Sequence, residues 1–255
     1  MHEFMTAARK RIDCVLVDRG FADSRHKAQA LVLAGQVLAD EQKIEKAGRL
    51  VNPEAAIRIL GGMPFASRAG AKLKAALDHF QIAVRGRICA DLGASTGGFT
   101  DCLLQYGAEA VHAYDVGTSQ LAWKLQSDPR VVVHDGYNVR FLVAGDLPDD
   151  VSLLTADLSF ISLTKVLEPV RDAVRPGQRA TVDLILLVKP QFEVGKGEVG
   201  KGGIVRNAAK QQEALAAVET FAAAAGYRPA GSIPSPILGA EGNREFLLYL
   251  QLDPG

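Results

Sequence analysis

Six apolar runs constrain this chain more than any other feature. "RICADLG" (87–93), "AVHAYDVG" (110–117), "RVVVHD" (130–135), "VSLLTADL" (151–158), "VDLILLVKP" (182–190) and "REFLLYLQL" (244–252) are strand-length and nearly unbroken in hydrophobicity. Between them lie stretches of helical character, with helices expected through Leu104, Gln126 and Val174 and from Asn207 to Ala225. A strand apolar on both sides must be covered on both faces, so the pattern predicts a mostly parallel α/β sheet with helices above and below. In such sheets the ligand site lies beyond the carboxyl ends of the strands. Residues 66–255 are assigned to this domain.

The preceding 60 residues read differently. "RIDCVLVDRG" has Ile12, Val15 and Leu16 at helical spacing and stops on Gly20, and "DSRHKAQALVLAG" runs from the cap candidates Asp23 and Ser24 to Gly35. Short β-prone pieces follow in "QVLADEQKIEKAGRLV" and "AAIRIL". Residues 1–60 thus form a small α+β unit, and "GGMPF" (61–65) breaks all periodicity as a linker.

With 29 basic and 29 acidic residues the formal charge is zero, so any site for a polyanion is a local patch. Cys14, Cys89 and Cys102 are odd in number and lack metal-ligand spacing, which points to a reducing compartment and no metal. The longest apolar stretch of the C-terminal half, near Ala214–Ala225, is too short and alanine-rich to span a bilayer. The expectation is a cytoplasmic protein without a membrane partner.

"ADLGASTGGFTDCLL" sets Asp91, Gly93, Ser95, Gly97, Gly98 and Phe99 at a strand-to-helix turn, where glycines admit close backbone approach to a ligand. Ser95 replaces the second glycine of a dinucleotide fingerprint and no phosphate-loop lysine follows. Asp115, ending the second strand, lies where a carboxylate would accept from a ribose diol. An acid, a glycine turn and no pyrophosphate signature favour S-adenosylmethionine. Asp135, after the third strand, is a candidate for the adenine edge.

Two ionisable groups end apolar strands: Asp157 and Lys189. Lys72 lies on or beside the apolar stripe of "SRAGAKLKAALDHF", whereas Lys74 points away. Strand alternation puts Glu245 on the same face as Leu247 and Tyr249, where an acid needs a partner. Two lysines and two carboxylates around a cofactor suit transfer to a ribose hydroxyl, a poor nucleophile that an amine base activates. After Lys189, "PQFEVGKGEVGKGG" reads as a mobile cover whose Lys196 and Lys201 contact phosphates.

Taken together these stretches resemble the TlyA (haemolysin A-like) family of ribosomal RNA 2′-O-methyltransferases, with an FtsJ-like catalytic domain. "RIDCVLVDRGFADSRHKAQALVLAGQVLAD" is similar to the αL RNA-binding domain of ribosomal protein S-four, "SRAGAKL" and "DLGASTGGFTDCLLQYGA" resemble the family's first helix and cofactor motif, and "LVKPQFEVGKGEVGKGGIVR" resembles its most specific stretch. The resemblance implies a Rossmann-like S-adenosylmethionine-dependent methyltransferase sheet preceded by an αL RNA-binding domain. It also implies a catalytic tetrad Lys72, Asp157, Lys189 and Glu245 with Lys189 as proton acceptor. Cofactor contacts would come from Asp91, Gly93, Ser95, Gly97, Gly98, Phe99, Asp115, Asp135 and Asp157. RNA contacts would come from Arg9, Lys10, Arg11, Arg25, Lys27, Arg68, Lys196 and Lys201. The implied partner is ribosomal RNA or a ribosomal subunit, and the target a cytidine. The family's usual "SRGG" is "SRAG" here, and "ERTNxR" appears as "DGYNVR" (135–140).

Three other functions compete. A base methyltransferase would carry a proline pair after the fourth strand, where "DLSF" has none, or a strand-end cysteine nucleophile, which neither Cys89 nor Cys102 supplies. A cytolysin, suggested by the family's older name, needs a membrane-active segment. An inactive RNA-binding protein differs only in activity.

Overall fold

The computed structural model describes residues 9–22, 24–60, 65–174, 180–200, 202–239 and 242–253. The chain divides into two compact units, Met1–Pro64 and Phe65–Gly255. The linker positions 61–64 and the cap candidate Asp23 lie outside the described residues.

In the first unit β1 (Lys10–Arg11) leads into α1 (Ile12–Asp18), followed by α2 (Arg25–Leu33), β2 (Val37–Ala39), β3 (Gln42–Lys43), β4 (Leu50–Val51) and β5 (Ile57–Ile59). Strands β3, β2 and β5 form one antiparallel sheet and β1 pairs with β4. Ser24 caps α2 by accepting from the Lys27 N–H, and Gly20 and Gly35 take the positive φ that ends each helix. Ile12, Val15, Leu16, Ala28, Val32, Val37 and Ile44 make a small core of their own.

The second unit contains α3 (Ala69–Phe80), β6 (Ile88–Leu92), α4 (Gly98–Gln105), β7 (Ala110–Asp115), α5 (Trp123–Gln126) and β8 (Val131–Asp135). It continues through β9 (Val151–Ala156), α6 (Leu167–Ala173), β10 (Val182–Val188), α7 (Pro190–Glu193), α8 (Ala208–Ala224), β11 (Arg228–Pro234) and β12 (Phe246–Leu252). The seven strands run in the order β11-β12-β10-β9-β6-β7-β8. Neighbours from β10 to β8 are parallel, whereas β12 is antiparallel to both β10 and β11. The expected mostly parallel, doubly covered sheet is present.

Alternating side chains feed two cores, as the strand period requires. Cys89, Val111, Leu153, Ile185 and Leu187 pack with Leu73, Leu77 and Leu103 on one face. Ala90, Leu92, Leu154, Leu184 and Leu186 pack with Leu167, Val170, Leu215 and Val218 on the other. The helix expected through Gln126 is a single turn, because Ser119 takes a positive φ and Leu121 turns inward as a buried residue before it.

The antiparallel course of β12 positions the site. Its register sets Phe246 opposite Val188, so the start of β12 lies beside the carboxyl end of β10, on the sheet edge where β9 and β6 also end. Glu245 immediately precedes the strand, and its carboxylate faces α3 on the same side as Leu247 and Tyr249.

Candidate active site

Four charged side chains converge at that edge in two pairs. The buried stripe of Leu73, Ala76 and Leu77 draws one face of α3 onto the sheet, carrying Lys72 inward to 8% exposure. Its ammonium donates to Glu245 Oε2 at 2.5 Å, and Glu245 itself is 3% exposed. Lys189, also 8% exposed, follows β10; its Nζ lies 2.6 Å from Asp157 Oδ1 and donates to Ser159 Oγ at 2.9 Å. Lys74 faces outward, bound to Asp78 and Tyr106, as the helical spacing predicts.

The pairs line a cavity of 490 Å³ with Ser67, Arg68, Ser159, Phe160, Gln191 and Phe192 in its wall. Adjoining it is a cavity of 850 Å³ lined by Gly93, Ser95, Tyr114, Asp115, Tyr137, Asn138 and Arg140. Asp157, Ser159, Phe160, Gln191 and Phe192 belong to both walls, so the two spaces meet there. A smaller space of 160 Å³ reaches Gly98 and Phe99.

Around the glycine turn, Asp115 accepts from the Ser95 N–H at 2.8 Å and the Gly117 N–H at 2.7 Å, tying the turn to the end of β7. Asp91 does not reach the cavities. The strand register sets it opposite Thr155, whose hydroxyl donates to it at 3.0 Å, and the Thr100 hydroxyl donates at 2.6 Å. Complete burial pushes its carboxyl up to about 6 despite those donors. Asp91 therefore pins the helix start from below.

Two of the glycines serve packing. Gly97 needs its φ of +92°, and a Cβ there would run into Leu125 and Leu121; one at Gly98 would overlap the Ser67 hydroxyl and lie 2.9 Å from the Ala69 methyl. Of the turn's glycines, Gly93, with φ +82°, and Gly98 border the open spaces, while Gly97 borders none of them. Asp135 is also not among the lining residues, because its carboxylate accepts from the Ser119 N–H at 2.8 Å. Tyr137, Asn138 and Arg140 of the departing "DGYNVR" stretch take wall positions instead.

The glycine-rich loop after α7 is tied down at its C-terminal end. Buried Asn243 donates to Gly203 O at 2.8 Å and accepts from the Val205 N–H at 2.9 Å, while Gln211 donates to Val205 O at 2.6 Å. Glu198 pairs with Lys210 at 2.8 Å. Lys201 and the Lys196 side chain lie outside the described residues. Glu193, whose carboxyl burial pushes up, accepts from Ser162 Oγ at 2.6 Å and the Leu163 N–H at 2.9 Å, bracing the segment that bears Phe160.

Sequence reasoning missed Phe160, Gln191 and Phe192. Phe160 is 92% exposed in a left-handed backbone (φ +63°), with its ring 5.3 Å from that of Phe192. A bulky residue held there is strained, and such strain concentrates at functional sites. Nothing in "DLSF" signals that geometry.

In the first unit the buried Asp13 accepts from Arg11 at 3.0 and 2.9 Å, Arg25 at 3.1 Å and Gln29 at 3.0 Å. The Arg11 guanidinium holds the Asp13 carboxyl far below the usual carboxylate range. Both arginines keep about half of their side-chain surface in solvent. Lys10 pairs with Asp18, and Arg9 and Lys27 are exposed. Among the described residues no helix is long and apolar enough to cross a membrane, and no cluster of three or more metal-type ligands occurs.

Comparison with known proteins places these features in context. The family model for FtsJ-like methyltransferases matches residues 65–252, and that for the S4 domain matches residues 10–57. The chain is 44% identical over 252 residues to the 16S/23S rRNA (cytidine-2′-O)-methyltransferase TlyA of Mycobacterium tuberculosis, covering 96% of this chain and 91% of that one. A solved Streptococcus thermophilus protein provisionally called a hemolysin is 36% identical with a TM-score of 0.74, covering 97% of this chain and 90% of that one. At 13% identity, a Listeria monocytogenes protein provisionally described as an S-adenosylmethionine-dependent methyltransferase shares the fold with a TM-score of 0.52, over 74% of this chain and 100% of that one.

Proposed function

We propose that this chain, which belongs to the FtsJ-like methyltransferase family and carries an S4 domain ahead of the catalytic unit, transfers a methyl group from S-adenosylmethionine to a ribose 2′-hydroxyl of ribosomal RNA, on a cytidine. The observation that carries the reading is the meeting of two lysine–carboxylate pairs, one buried and one partly buried, with a cavity walled by a glycine turn.

The residues present fit the cofactor. The Asp115 carboxylate has acceptor capacity beyond its two backbone donors, as a ribose diol requires, and lines the larger cavity. Gly93 and Ser95 would hold the methionine side and Tyr137 and Asn138 the adenosine side. Ser95–Gly98 contains no lysine, which suits a ligand without a pyrophosphate. When bound, S-adenosylmethionine supplies a methyl group activated by a sulfonium. The chain itself orients the hydroxyl, excludes water and takes up the proton. Lys189 Nζ accepts that proton; Asp157 and Ser159 hold the amine in place, and the Lys72–Glu245 pair fixes the opposite wall.

Arg11 and Arg25, presented by Asp13, would contact phosphates, with Arg9, Lys10 and Lys27 nearby and Arg68 at the catalytic cavity. Such contacts position RNA without reading its sequence. The working location is the cytoplasm, with ribosomal RNA or a ribosomal subunit as partner. The test is to map 2′-O-methylation in ribosomal RNA from cells with and without the gene, then to restore the lost mark with purified protein on naked RNA and on subunits. A reading in which no ribose mark depends on the protein, or in which label lands on a base, sinks the proposal.

A further inference from the structure

Among the described residues, Gln191 Oε1 is the one buried side-chain nitrogen or oxygen with no hydrogen-bond partner. Buried polar groups in folded proteins are paired almost without exception, and an orphan costs free energy unless something outside the chain completes it. Its position is informative. Gln191 belongs to the wall shared by the cavity of the lysine–carboxylate pairs and the cavity of the glycine turn, in the company of Phe160 and Phe192.

The backbone ties this amide to Lys189. Pro190 starts α7 with a fixed φ, the Phe192 N–H donates to Lys189 O at 2.9 Å, and the Val194 N–H donates to Pro190 O at 3.0 Å. One tight turn therefore carries both the ammonium and the amide. The two lysines of the smaller cavity are already committed: Lys72 to Glu245, and Lys189 to Asp157 and Ser159. An unpartnered acceptor on a wall that also carries two aromatic rings, with Lys72 and Lys189 engaged elsewhere, suits a neutral donor on a planar ligand.

We propose that Gln191 reads the base of the target nucleotide, its Oε1 accepting a hydrogen bond from the exocyclic 4-amino group of cytosine. This rests on the ribose-methylation reading above. Uracil carries a carbonyl oxygen at that position, so it opposes one acceptor with another and is rejected.

The experiment uses the full-length protein and an RNA fragment containing its mapped target as cytidine, as uridine, or as the pyrimidin-2-one riboside that lacks the amine. Wild type is expected to lose about 10- to 100-fold in kcat/KM when the amine is removed, the range of one good base contact. Gln191→Ala is expected to lose a similar factor on cytidine, to be indifferent to removal of the amine, and to bind S-adenosylmethionine as wild type does by calorimetry. Gln191→Glu, which keeps the acceptor, should retain preference for the amine. A merely structural role lowers activity on all three fragments equally and leaves the cytidine-to-pyrimidinone ratio unchanged, and that result overturns the proposal. So does a wild type indifferent to the amine, or a Gln191→Ala protein that loses cofactor affinity. The wild-type cytidine arm separates the two readings, because absence of any ribose transfer there defeats the parent proposal and this one with it.

Discussion

Replacing Lys189 by arginine distinguishes a base from a positioned cation. The ammonium sits 2.6 Å from Asp157 Oδ1 and 2.9 Å from Ser159 Oγ. If its role is to accept the ribose proton, the pair must open as the hydroxyl enters, and only an amine then becomes competent. Guanidinium keeps the charge but cannot deprotonate at accessible pH. Lys189→Arg should therefore lose about 10²- to 10⁴-fold in single-turnover methyl transfer, the usual contribution of a general base. Lys189→Met should be equally inactive and also less stable. Breaking a buried ion pair costs about 3–5 kcal/mol, and because Asp157 keeps 18% of its side-chain surface in solvent we discount this to roughly 1–2 kcal/mol. For a unit of this size that lowers Tm by about 2–8 °C, measurable by calorimetry. Cofactor affinity should be unchanged in the arginine variant. An arginine variant within tenfold of wild type refutes the base assignment and leaves Lys189 as a charge that orients substrate.

Further outcomes follow from other parts of the structure. Asp91 has a folded-state pKa raised by burial to about 6, above its unfolded value, so its protonated form favours folding. That contribution is complete below about pH 4 and disappears as pH rises through 6, on the order of 3 kcal/mol in all. Urea denaturation from pH 4 to 8 should show the decline in wild type, and Asp91→Asn should flatten it. Asp115→Ala should abolish cofactor binding by calorimetry while the protein stays folded; wild-type affinity in that variant would remove Asp115 from the site. Arg11→Gln and Arg25→Gln should each weaken RNA binding and reduce its salt slope by about one, whereas unchanged slopes would mean that these arginines serve only Asp13.

The sheet was legible because strands buried on both faces are written as nearly continuous apolar runs, and β6, β9 and β10 each carry no more than two polar residues. The two lysines were legible for a related reason: a charge that ends such a run, or interrupts a helical stripe, has few places to go. What the residues could not disclose was direction and packing. Asp91 looks like a ligand contact until the register sets it against Thr155. Gly97 and Gly98 look like a cradle, yet they are glycine because Leu121, Leu125 and Ser67 press against them. Asp135 is a strand-end acid like Asp115, but a Ser119 N–H claims it. Phe160 owes its exposure to a single backbone angle that its sequence does not encode locally.

The antiparallel course of β12 has a consequence for the order in which the protein comes into being. Lys72 and its partner Glu245 are 173 residues apart, so one wall of the site closes only when the last strand slots between β10 and β11. Contacts of such long range form late, after the entropy of a large loop has been overcome. A nascent chain can thus complete its glycine turn and the Asp157–Lys189 pair while Lys72 still waits. A chain halted before β12 would therefore lack the carboxylate that Lys72 needs, and its site would have one wall unfinished.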